Sequence, residues 1–322
     1  MTLFVENVGI MRNGFVWQED GAKRLAALIY TLAGKKIDAE AIKEAHRMIK
    51  SEVGVFSTFR GNLSIYVAAA LSLTEQPKQI LSDTLRVYGL LKEQGFWASD
   101  YLVVAAFEIA SKEVDHNNII RRTKAFYEEM KANHRFHIGQ DDYIFAVMLA
   151  LSDMEPHAGA NKMKQLFLRI KSEFSRFIGK SSLLTLSQML VLGGSTEDCI
   201  HNLLRLNKVL HNRKIRLDRT YTLPSLGVLG ILNVDNNTLA DEMVEARDFL
   251  RNQKGLGYFS VTTQELLLYV ASLVTYTYAT DNENNLLRAN LATSVTNLII
   301  AQQVAIIVAI SAASSANVAA SS

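Results

Sequence analysis

A chain of 322 residues, 49% hydrophobic and 20% charged, can build a large core, but one compact core seldom grows past about 250–300 residues, so two domains or a repeat array are expected. The net charge of +2 argues against a dedicated nucleic-acid binder, and the single cysteine, Cys199, rules out an internal disulfide and suits a reducing cytoplasm. Three prolines and little strand-like alternation favour helices, and the opening MTLFVENVGIMRNGF lacks the basic-then-apolar order of a secretory signal. Taken in chain order, GAKRLAALIYTLAG after Asp20 reads as a degenerate leading unit.

From Ile42 onward, charge-rich amphipathic segments alternate with apolar ones. The amphipathic segments, beginning with IKEAHRMIKSEV, are read as B helices with one solvated face. The apolar runs, read as A helices, open at Asn62, Asp100, Asp142, Ser182, Thr222 and Thr262, in steps of 38, 42, 40, 40 and 40. All six opening residues favour a helix N-cap, so each is expected to accept a bond from a first-turn N–H. The positions one, four and nine after each marker fall near one helical face and are almost all apolar. The sequence therefore predicts an all-α fold of six helix pairs of about 40 residues, an α/α superhelix with a closed α/α toroid as the alternative. Residues 1–290 form one helical-repeat domain in this reading, followed by an uncharged segment over 291–322.

The B-to-A connectors carry eight basic residues against two acids, and the A-to-B connectors eight acids against Lys78. Acids at the starts of B helices and bases at their ends complement the helix dipoles, at about 0.3–1 kcal/mol each. The sharper reading is a basic edge that favours an anion. Arg60, just before Gly61 and Asn62, could clamp a carboxylate or phosphate. Phe96, Trp97, Phe136, Tyr221, Tyr258 and Phe259 recur in the same connectors, as hydrophobic staples or as an aromatic-lined mouth. The candidate ligand-binding edge is thus Arg60, Trp97, Asp100, His137, Asp142 and Tyr258. HRFHIGQDDY also groups His134, His137, Asp141 and Asp142, but zinc needs three ligands in firm geometry and Asp142 is committed as a cap, so no metal site is assigned. Metalloprotease, paired-cysteine, phosphate-loop and nucleophile-elbow motifs are missing, so no catalytic residue and no cofactor are assigned. Cys199, at the start of a B helix, is read as a small buried hydrophobe.

No charged residue follows Arg288. The remaining stretch is long enough to span a bilayer, yet Gln302 and Gln303 interrupt it, and Ala301, Ala305, Ala309 and Ala313 make a small-residue stripe. A buried closing helix is preferred over a membrane anchor. GVFSTFRGN (Gly54 to Asn62), GFWASDYLVVAAFEIA (Gly95 to Ala110) and the Ala/Ser-rich end resemble a bacterial family, the domain of unknown function numbered 4003. The resemblance implies a bacterial, cytosolic helical protein and brings no residue roles with it. The expected function is non-enzymatic binding of a protein or peptide partner. The alternatives are an enzyme or binder with an anion pocket at the B-to-A connectors, and attachment to a membrane through the tail.

Overall fold

The computed structural model describes residues 1–55, 57–134, 137–174, 178–194, 198–232 and 234–280. The readings that concern Phe136 and the segment 291–322 lie outside these residues. Among the described residues there are fourteen α-helices and no strand. No helix among them is long and apolar enough to cross a membrane.

The chain forms two compact units. The first holds residues 2–128 and 139–156. It contains α1 (Thr2–Gly14), α2 (Asp20–Leu32), α3 (Ala39–Glu52), α4 (Ser64–Ser72), α5 (Pro77–Glu93), α6 (Asp100–Ala110), the first part of α7 (His116–His134) and α8 (Tyr143–Leu151). B helices pack on the A helices that follow them, α1 on α2, α3 on α4 and α5 on α6. A helices also pack on A helices (α2 on α4, α6 on α8), and B helices on B helices (α1 on α3, α3 on α5). The second unit holds 129–138 and the described residues between 157 and 280. Its helices are α9 (Pro156–Glu173), α10 (Lys180–Leu192), α11 (Asp198–Asn212), α12 (Leu223–Gly230), α13 (Asn236–Arg251) and α14 (Thr263–Thr280). The same order returns there, with α11 on α12, α13 on α14, and α10, α12 and α14 in sequence.

Composition explains the division of labour. The A helices are apolar almost all round, as in YIFAVMLAL of α8, and nearly every residue of α4, α6, α8 and α12 is buried. Tyr66, Phe145 and Tyr269 are among their largest buried side chains, each contributing about 1.5–3 kcal/mol by burial. The B helices bury only one stripe, such as Ile42, Ala45 and Ile49 of α3.

Two expectations need correction. The leading unit is a complete pair, because α1 precedes α2, so the described residues hold seven helix pairs. Buried Asn7 of α1 fixes this pair. Its Nδ2 donates to Thr31 Oγ1 and the Lys35 carbonyl, both at 3.1 Å, and its Oδ1 accepts from Ile37 N at 2.9 Å. The caps also differ. All six markers lie at or within three residues of an A-helix start, but only Thr262 caps by its side chain as expected, accepting from Glu265 N at 3.1 Å. Asp100 is already inside α6, whose cap is Ser99. Thr222 stands at the cap position but turns its hydroxyl to the Arg216 carbonyl. Asn62 precedes Leu63, the cap residue of α4, and Ser182 lies in the first turn of α10. The Asp caps belong to B helices instead: Asp38, Asp115 and Asp235 each accept two first-turn amides of α3, α7 and α13. The A-to-B acids Asp115 and Asp235 are thereby accounted for by capping.

Close approach between α10 and α12 depends on glycine. A Cβ on Gly227 would stand 2.7 Å from Leu186 Cδ1 and 3.4 Å from Met189 Cβ. Gly227→Val is expected to cost about 2 kcal/mol, because a branched side chain cannot swing clear of both neighbours. A chemical denaturation curve unchanged by the substitution would refute the close packing.

Candidate binding site

The connector between α5 and α6 shows how an exposed aromatic is presented. Gly95 takes φ +88°, a conformation that favours glycine, and ends α5. Phe96 N then bonds back to the Leu91 carbonyl, which turns Phe96 inward. Its ring is buried and meets the rings of Tyr127 and Tyr143 at 5.3 and 4.9 Å. The next residue points the other way. Trp97 N donates to Tyr143 Oη at 3.2 Å, which fixes its backbone, while the side chain is 72% exposed.

The connector between α13 and α14 repeats the design. Gly255 takes φ +88°, Leu256 is buried, and Tyr258 and Phe259 stand in solvent. Arg251 holds the loop from within, donating to the carbonyls of Leu256 (3.2 Å) and Val261 (2.9 Å), with its guanidinium 4.3 Å from the Tyr258 ring centroid. Between α11 and α12, Lys214 takes φ 60°, Ile215 and Leu217 are buried, and Tyr221 is exposed.

The sequence alone missed a further copy. Between α1 and α2, GFVWQED parallels GFWASD: Phe15 is buried like Phe96, Trp17 is exposed like Trp97, and Glu19 caps α2 as Ser99 caps α6. The shared Gly-Phe, with Trp one or two residues on and a capping residue two further, was the available signal. Among the described residues six Phe, Tyr and Trp side chains are exposed: Trp17, Trp97, Tyr221, Phe249, Tyr258 and Phe259. Five lie in B-to-A connectors, and Phe249 lies in the last turn before one. These are not buried staples.

The remaining predicted site residues fare differently. Arg60 gives its Nη2 to the carbonyls of Lys50 and of Val53, the latter at 3.0 Å, and so closes the end of α3. Arg213 pairs with Asp241 at 2.7 Å, and Arg216 lies 3.7 Å from Asp218. Arg60, Arg213 and Arg216 of the expected basic edge are therefore engaged internally. Asp100 is half-buried beside Gly61, where a Cβ would come within 2.7 Å of its Oδ1. Asp142 is buried and accepts from Gly139 N at 2.7 Å, and Asp141 Oδ1 lies equally close to where a Gly139 Cβ would stand. Burial raises the pKa of Asp100 and of Asp141. Tyr101, between them, is raised by burial and then by Asp141, Asp100 and Asp142. The first unit thus gathers carboxyls, not cations, at Asp100 and Asp142. His137, in the second unit, is half-buried and donates its N–H to the His134 carbonyl. His134 is buried against Phe167, and burial, His137 and Lys164 lower its pKa. Among the described residues no three His, Cys, Asp or Glu side chains are grouped to hold a metal ion. Cys199 is half-buried rather than buried.

The first unit also carries surface clefts. One of about 830 Å³ lies between α3 and α5, with Met48, Leu81 and Leu85 inside and Arg47, Lys78 and Glu44 around it. A neighbouring space of about 480 Å³ shares Glu44, Met48 and Lys78. No curated protein and no solved structure matches the chain. One family does, over residues 10–304, well beyond half its length, and the chain belongs to that family, described as Protein of unknown function (DUF4003).

Proposed function

We propose that the protein is a non-enzymatic helical-repeat scaffold that binds a protein partner through its B-to-A connectors. The observation that carries this reading is the placement of Trp17, Trp97, Tyr221, Tyr258 and Phe259. A single exposed aromatic is ordinary, but these recur in one class of connector, and binding sites are enriched in Trp and Tyr. The Tyr143 bond supports Trp97, and the Arg251 grip supports Tyr258. Engagement of Arg60 with main-chain carbonyls favours this reading over an anion pocket at that connector. A reducing, cytoplasmic location in a bacterium suits the single cysteine.

A photoreactive phenylalanine at position 97 or 258 is expected to give discrete cross-linked adducts in cells. The same residue at Val114, exposed in an A-to-B connector, is expected to give none. Equal adducts at all three positions, or none at any, would count against the scaffold.

A further inference from the structure

At the end of α1, Trp17 and Val16 are 96% and 65% exposed, while Phe15 beside them is buried. Across a cleft of about 480 Å³ stands α3, contributing Lys43, His46 and Arg47. These positions are spaced i, i+3 and i+4 and so share one face of the helix. The one acid that lines the cleft, Glu40, is already paired with Lys43 at 2.8 Å. Arg47 makes a long Nε bond to the Lys43 carbonyl, 3.4 Å, and forms no ion pair among the described residues. His46 is held below its ordinary pKa first by burial and then by Lys50 and Arg60. Exposed Trp17 and an Arg47 guanidinium without an ion pair among the described residues therefore line one cleft.

We propose that this cleft binds a small anion carrying a flat ring, with the ring stacked on Trp17 and the carboxylate or phosphate held by Arg47 and, in exchange for exposed Glu40, by Lys43. The volume lies within the range of small-molecule pockets. Guanidinium bonds to carboxylate and phosphate are short, strong and directional, and an aromatic face supplies area at little entropic cost. The cleft is bounded by a five-residue loop segment and four residues of one helix, which suits a ligand of nucleotide size better than a peptide strand or helix. The inference goes beyond the scaffold reading and does not rest on it.

The chain has two tryptophans, Trp17 and Trp97, so fluorine NMR of the fluorotryptophan-labelled protein gives one signal for each. The full chain is titrated with adenosine monophosphate, nicotinate and benzoate, and with adenosine, nicotinamide and benzyl alcohol as uncharged counterparts. At least one anion is expected to move the Trp17 signal saturably and leave that of Trp97 in place. Its uncharged counterpart is expected to bind at least about tenfold more weakly, and Arg47→Gln to weaken the anion by about tenfold or more at an unchanged melting temperature. The proposal is overturned if no anion moves Trp17, if the uncharged counterparts bind as well, or if Arg47→Gln leaves affinity intact. Inorganic phosphate binding as tightly as adenosine monophosphate overturns the stacked ring. Should Arg47→Gln fail to fold, Lys43→Gln is judged by the same criterion.

Discussion

Arg122→Met is expected to lower the melting temperature by about 6–12 °C, the equivalent of about 3 kcal/mol in a unit of this size. Arg122 of α7 donates from Nε to the Ala150 carbonyl at 3.0 Å and from Nη2 to the Ser152 and Met154 carbonyls at 2.9 and 2.6 Å. The Ala150 oxygen belongs to the last turn of α8 and the other two follow its end, where the helix leaves its last carbonyls without partners of their own. The side chain is 21% exposed, so water replaces these bonds only in part, and its ion pair with exposed Glu155, at 3.5 Å, adds little. Methionine keeps the length and loses every donor. Lysine restores the charge but not the planar fork and is expected to recover about half of the loss. Exposed Arg121→Met, one residue away, is the control and is expected to fall within about 0.5 kcal/mol of the parent. Equal melting temperatures for the Arg122 and Arg121 variants would show that the bonds to the connector carry no stability.

Glu108→Gln is expected to stabilise the protein by about 1–2 kcal/mol at neutral pH, the scale on which burial of a polar group is penalised. Glu108 sits in α6, a helix otherwise buried and apolar, and is itself buried. Burial raises its carboxyl pKa above the ordinary 4.5, and Lys112 one turn on offsets this only in part. Nearby Tyr66 is raised well above its usual value, by burial and then by Glu108. The sign follows from linkage. With a folded pKa above the unfolded one, the unfolded chain releases its proton first as pH rises. The penalty is absent below the ordinary carboxyl value and complete once pH has passed the raised folded value. Asp100 and Asp141, raised by burial, act in the same direction. Asp20 and Asp83, lowered chiefly by side-chain bonds from Lys23 and Gln79, act in the opposite one, losing their contribution as pH falls. The gain from Glu108→Gln should therefore vanish at acid pH and grow through the weakly acid range. A gain constant from pH 4 to pH 8 would show that packing, not ionisation, is responsible.

The helical period was legible because it depends on side-chain hydrophobicity, which the A helices display all round. The capping residues were not, because Asp, Ser and Thr crowd the same turns and only the backbone path decides which one meets an N–H. Ser99 takes that role from Asp100, and the 3₁₀ turns Thr58–Arg60 and Gln140–Asp142 displace the starts of α4 and α8. Aromatic enrichment in the B-to-A connectors was visible, yet Phe96 and Trp97 are neighbours of similar chemistry with opposite fates. Positive φ at Gly95 and a bond to Tyr143, 46 residues away, separate them. The fate of Arg60 was equally hidden, since its acceptors are main-chain oxygens that any residue supplies.

Arg60, Arg122 and Arg251 each grip carbonyl oxygens at a helix end or in a connecting loop, never the loop's side chains alone. A guanidinium that recognises the path of the chain leaves the identity of the residues along it unconstrained. Val55, Tyr258 and Phe259, all exposed, sit in segments held this way. Sequence in such loops can drift, or be recruited to a new surface, while the trace beneath stays as it is, so specificity and architecture are written in separate atoms of the same turn.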